Sequence, residues 1–139
     1  MNVRFVAGFS VIVDEAAAAR RFYGEMLSLP VKFDEGSDYS VVDLPGLKHF
    51  GLWTLRDAAR STFDRDEWPE EVPRPQATLE LEVDDVAEAV AELKGRGLEL
   101  LQDTKVEPWG QTTARLLSPE GLLIGVVYTP TLREEESKS

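Results

Sequence analysis

Residues 77–101, ATLELEVDDVAEAVAELKGRGLELL, hold the pattern that decides the fold. Leu79, Leu81 and Val83 alternate with Glu80 and Glu82, which is the period of a half-buried strand over Ala77–Val83. Asp84 or Asp85 then caps a helix whose Val86, Val90 and Leu93 recur at helical spacing, and Gly95 and Gly97 end it. Leu98–Leu101 opens another strand. Upstream, the same order has already run once. Val3–Val13 reads as a strand, and Asp14 follows Val13 as Asp84 follows Val83. A helix over Ala16–Leu27 keeps Ala18, Phe22 and Met26, and Ala19, Tyr23 and Leu27, at i and i+4 until Pro30 stops it. Val31–Phe33, Tyr39–Leu44 and His49–Leu55 follow as short strands, parted by turns at Glu35–Asp38 and Pro45-Gly46. Downstream, Gln111–Leu117 and Leu122–Tyr128 flank the turn Pro119-Glu120-Gly121, and Gly125 stands in its strand as Gly51 stands in its own. Repetition of this kind speaks for the whole fold before any single motif does. It predicts an α+β chain of two βαβββ repeats, a first half over 1–56 and a second over 77–130. Between them, 57–76 gathers acidic residues and prolines into an exposed connector, and 131–139 is a charged tail expected to fray.

Composition narrows the function classes. With 139 residues, 42% hydrophobic and 9% aromatic, the chain can bury one core. A formal charge of −11 opposes a phosphate backbone, so no nucleic acid is expected as a partner. No stretch approaches the roughly 20 apolar residues that span a bilayer, and no membrane partner is expected. The first residues show no cleavage pattern of a signal peptide, and the absence of cysteine removes disulfides and thiolate sites, which fits a cytoplasmic location.

Three segments carry a family likeness: RRFYGEMLSLPV (20–31), LELEVDDVAEAVAELKGRGLEL (79–100) and EPWGQTTARLLSPEGLLIGVVYTP (107–130). Over Phe5 to about Thr129 the chain resembles the vicinal oxygen chelate superfamily of glyoxalases, bleomycin-resistance proteins and dioxygenases. The resemblance implies two βαβββ repeats forming a curved mixed sheet, a cup with helices outside, and a homodimer. Its enzymes hold a metal in the cup with His, Glu or Gln on the first and last strands of each half. The corresponding positions here are Gly8, Thr78, Gly51 and Gly125, none with a suitable donor. A displaced site could draw on His49 and Glu80, which is too few donors. The expectation is therefore no metal and no other cofactor, as in the metal-free antibiotic-binding members.

If the three glycines face the cup, they widen it for a bulky ligand. Strand alternation then puts Ser10, His49, Trp53, Thr78 and Glu80 on the cup face and Phe9, Phe50, Leu79 and Leu81 toward the helices. Trp53, Tyr39 and Trp109 suit the walls of a site for planar molecules, with Gln111 able to donate and accept. Trp68 reads as an exposed residue without a role, a staple of the connector, or a lid on its own or a partner's pocket, and Glu80 and Glu82 as a solvated strand face or groups that favour a cation. Neither a nucleophile with its base nor a paired-carboxylate spacing is legible, which leans away from an enzyme. Three readings stay open: metal-independent sequestration of a small aromatic or drug-like molecule, an enzyme with displaced metal or acid–base chemistry, and a noncatalytic module with a filled cup.

Overall fold

A computed structural model describes residues 1–138, leaving Ser139 outside. The elements run β1 (Phe5–Val13), α1 (Ala16–Arg20), β2 (Val31–Lys32), β3 (Ser40–Val42), β4 (Phe50–Thr54), α2 (Leu55–Phe63), β5 (Ala77–Glu82), α3 (Val86–Gly95), β6 (Gln102–Val106), β7 (Thr112–Leu117), β8 (Leu123–Tyr128) and α4 (Pro130–Lys138). A π-helical stretch, Arg21–Met26, continues α1. The eight strands form one sheet in the order β2-β3-β4-β1-β5-β8-β7-β6. Strand β1 pairs parallel with β4 and β5 parallel with β8, and the halves meet where β1 and β5 pair antiparallel. Ser10 lies opposite Gly51 in the first half as Glu80 lies opposite Gly125 in the second, so the duplication extends to single residue pairs.

This α+β curved sheet has a convex face covered by α1 and α3. Ala19 packs with Val42, Leu52, Val11 and Phe50 on one side, while Val86, Ala89, Val90 and Leu93 pack with Ala114, Leu116 and Val126 on the other. These strand residues have the parity opposite to Ser10, Gly51, Arg115 and Gly125, which face the concave side. Removing apolar area from water at about 25 cal/mol per Å² drives both clusters.

The connector is not simply an exposed loop. Its start is α2, capped where the Thr54 hydroxyl accepts the Asp57 backbone N–H at 3.1 Å and ended by Asp64 in a left-handed conformation. Ala58 joins Ile12, Trp53 and Leu123 on the concave side, and Ala58 and Ala59 have no exposed surface. The helix does carry an apolar period, Leu55, Ala58, Ala59 and Phe63 at i, i+3, i+4 and i+8, but it is short, its middle is only alanine, and the acidic, proline-rich stretch after it dominates the segment. The tail likewise continues from β8 as α4 instead of fraying at once, so each repeat closes with a helix: βαβββα twice. The strand expected at Leu98–Leu101 lies instead at Gln102–Val106. Leu100 and Leu101 are apolar because they pack on the two cores as loop residues, whereas QDTKV is an edge strand with little apolar signal. No described helix is long and apolar enough to cross a membrane.

Candidate functional site

Between the concave face, α2 and the first turn of α4 lies a cavity of about 790 Å³, within the range of small-molecule sites. Ser10, Thr78 and Glu80 reach it from the central strands, and Trp53 from β4. Tyr39 and His49 enter from the loops preceding β3 and β4, and Trp109 and Gln111 from the loop before β7. Trp68 is not among its lining residues. It stands edge-on to Phe63 at 4.9 Å between ring centres and donates its indole N–H to the Val72 carbonyl at 3.1 Å, which fixes the chain after α2 and corrects its placement in the site.

The first-half end is neutral and aromatic. Tyr39 and His49 lie with parallel rings, 1° apart in plane, and the Tyr39 hydroxyl meets His49 Nε2 in a short hydrogen bond. Burial pushes the Tyr39 phenol up to about 12, opposed by a Ser10 hydrogen bond and reinforced by the Glu80 charge. Burial also pushes the His49 imidazole below its usual range, with Glu80 pulling the other way. Both groups are therefore uncharged near neutrality.

Gly51 does not leave the open space expected of it. A Cβ there would collide with the Tyr39 hydroxyl and stand 2.7 Å from Ser10 Oγ. At Gly125 a Cβ would stand 3.2 Å from Arg115 Nη1 and 3.3 Å from Glu80 Cγ. The glycines make room for this chain's own polar groups, so the correction is that the space at these two positions is taken up by the chain and not left to a ligand. Their missing side chains admit Tyr39 in one half and Arg115 in the other.

The second-half end is ionic. Arg115 is 1% exposed, with Nη1 3.4 Å from Glu80 Oε2, Nη2 4.0 Å from Glu107 Oε1, and its guanidinium 5.0 Å from the Trp53 ring centre. Glu107 is buried as well and accepts from Ser61 Oγ at 2.6 Å, Thr113 Oγ1 at 2.9 Å and Gln102 Nε2 at 3.2 Å. Lys105 donates to the Ser61 carbonyl and Asp64, tying α2 to β6. Gln111 donates to Thr129 Oγ1 at 2.9 Å and accepts from the Trp109 indole at 2.9 Å. Glu82 is not on a solvated face. It is fully buried and accepts from the Thr129 backbone N–H at 2.7 Å and Arg133 Nε at 3.0 Å.

Arg115, Glu107, Lys105 and Ser61 had not been singled out in the sequence. A signal existed for Arg115: it is the one charge in the apolar run Thr112–Leu117, directly across from Gly125.

A family-type metal does not fit these residues. Among the described residues no three His, Cys, Asp or Glu side chains gather as a metal-binding group. Of the two donors a displaced site would draw on, His49 is engaged by Tyr39, and Glu80 already faces the fixed cation of Arg115, which would repel a second one.

Comparison with solved structures finds the same architecture at low identity. A glyoxalase/bleomycin resistance protein/dioxygenase superfamily member from Vibrio splendidus 12B01 aligns at TM-score 0.56 and 16% identity, covering 92% of this chain and 100% of that one. Methylmalonyl-CoA epimerase from Mycobacterium tuberculosis aligns at 0.60 and 16%, covering 95% and 93%. A single-substitution variant of the Streptomyces coelicolor methylmalonyl-CoA epimerase, in complex with 2-nitronate-propionyl-CoA, aligns at 0.59 and 12%, covering 92% and 96%. A search of curated protein sequences finds no match. The sequence model of the glyoxalase-like domain matches residues 6–129, which takes in both repeats and every residue around the cup except the start of α4. With the repeat, the cup and this match in agreement, the chain belongs to the glyoxalase-like domain family.

Proposed function

We propose that this protein binds and sequesters a small aromatic or drug-like molecule in the cup without a metal, in the manner of a bleomycin-resistance-type self-protection protein. The observation that carries the reading is the cavity of about 790 Å³ with Trp53, Tyr39 and Trp109 among its walls. Aromatic walls give a planar ligand a large contact area at little entropic cost, and buried polar groups orient it. A cavity of that size also speaks against a cup filled by the chain's own side chains. The experiment is tryptophan-fluorescence titration with a panel of planar antibiotics and small aromatic compounds, run with and without a chelator. Trp53 and Trp109 line the cavity, so saturable quenching at one ligand per chain, unchanged by chelator, is expected. Absence of saturable quenching across the panel, or quenching abolished by chelator, would overturn the proposal.

A second reading has its own observation. The Tyr39–His49 hydrogen bond, with Ser10 beside it, sets a protonated phenol and a neutral imidazole at the cavity wall, and it favours metal-independent acid–base chemistry on a small oxygenated substrate. Its test is solvent-deuterium incorporation into candidate carbonyl compounds, read by mass spectrometry, with loss of incorporation in His49→Gln.

A further inference from the structure

The ionic end of the cavity is unfinished. A guanidinium carries five N–H donors, yet Arg115 makes one hydrogen bond among the described residues, at 3.4 Å to Glu80, and its Nε has no partner. Glu80 is held as loosely, accepting from Gln111 Nε2 and Arg115 Nη1, both at 3.4 Å. These distances lie at the edge of hydrogen bonding, and polar groups this buried are normally satisfied. A donor and an acceptor with capacity left over thus stand side by side on one wall, with the Trp53 ring facing the guanidinium.

The charges around them cancel. The lining holds four fixed cations and four carboxylates, with Arg115 between Glu80 and Glu107 and Lys105 bonded to Asp64 at 2.9 Å. An anionic ligand group entering beside Arg115 also meets both carboxylates, and a cationic group entering beside Glu80 also meets Arg115. Either would leave a charge uncompensated in a water-poor site, which is costly. An uncharged planar group escapes both penalties if it offers an acceptor to Arg115 and a donor to Glu80 along one edge.

We infer that the Arg115–Glu80 pair recognises a neutral carboxamide-type edge, such as an amide or lactam, on the ligand's planar body. This rests on the cup being a small-molecule site, as proposed above, and adds the charge class and the hydrogen-bonding edge of what fills it. Trp53 positions the planar body against Arg115, and Gln111 steadies Glu80 from the cavity mouth.

The test is calorimetric titration of the intact protein with three probes of one shape: naphthalene-2-carboxamide, 2-naphthoate and naphthalene-2-carboxamidine. The amide binds more tightly than either charged probe by about tenfold or more, the scale of leaving one buried polar partner unpaired. In Glu80→Gln, which keeps the shape and removes one negative charge, the amide's advantage over naphthoate shrinks by about tenfold, as a fixed positive charge is then uncovered. A charged probe that equals or beats the amide on the native protein overturns the inference. An unchanged amide-to-naphthoate ratio in Glu80→Gln does the same. If none of the three probes binds while other aromatic compounds still quench saturably, the neutral edge is wrong and the cup reading stands. If no compound binds at all, both fall.

Discussion

Replacing Gly51 with alanine is the sharpest test of how the cup is built. The methyl group would collide with the Tyr39 hydroxyl and stand 2.7 Å from Ser10 Oγ and 2.9 Å from Tyr39 Cζ. Gly51 is not one of the glycines with positive φ, so its backbone accepts alanine and the cost is purely side-chain crowding. Overpacking a tight interior typically costs about 1–3 kcal/mol. Displacing Tyr39 from His49 forfeits a buried hydrogen bond of about 1 kcal/mol, while alanine recovers about 0.5–1 kcal/mol of strand propensity over glycine. The net expectation is a loss of about 1–3 kcal/mol in urea unfolding. A double-mutant cycle isolates the cause. Tyr39→Phe removes the nearest of the three atoms in the way and leaves Ser10 Oγ and the ring carbon, so Gly51→Ala should cost less in that background but still destabilise, with a coupling energy of about 1 kcal/mol. The same variant should weaken cavity ligands, because Tyr39 is a wall. A neutral or stabilising Gly51→Ala, or a coupling below about 0.3 kcal/mol, would refute the claim that Gly51 is small to admit Tyr39.

Two further outcomes follow from the site and its surroundings. His49 resists protonation in the folded chain because it is buried, so the unfolded imidazole takes its proton first as pH falls. Stability held above the ordinary histidine pKa of 6.5 is then lost as pH drops through that value toward the lower folded one, and His49→Gln should flatten this slope in thermal unfolding between about pH 7.5 and 5, a window that spans that pKa. Trp68→Ala should destabilise the fold by about 2 kcal/mol, less than a fully buried tryptophan because Trp68 is only half-buried, while leaving the affinity of cavity ligands unchanged by fluorescence titration at the remaining tryptophans.

The repeat was legible because its carriers are strong local signals: alternation in Leu79–Val83, the Asp85 cap, and glycine at equivalent places in two strands. Parity alone put Ser10, Trp53, Thr78 and Glu80 on one face, and pairing across β1, β4, β5 and β8 keeps that register. What stayed hidden depends on contacts between distant segments. Nothing near Glu107 in sequence shows that Ser61, 46 positions earlier, will donate to it. Nothing near Glu82 announces that α4 will return to cover it with Arg133. Gly51 and Gly125 read as space because a glycine has no side chain, whereas what fills that space comes from other strands and loops. Helix α2 escaped although Leu55, Ala58, Ala59 and Phe63 keep helical spacing, because nine residues of period were read together with the acidic, proline-rich stretch that follows them.

The strand order ends in β2 on one side and β6 on the other, and neither edge has a strand beside it. Unpaired edges are templates for aggregation, and proteins blunt them with shortness and charge. Both devices are present. Strand β2 is two residues long and includes Lys32, which bonds Asp43 at 2.8 Å; β6 carries Asp103, bonded to Lys94 at 2.5 Å, and Lys105, bonded to Asp64 at 2.9 Å. A second molecule trying to extend the sheet would meet ion pairs instead of a long apolar strand. Growth of the sheet by strand addition at either rim is therefore disfavoured.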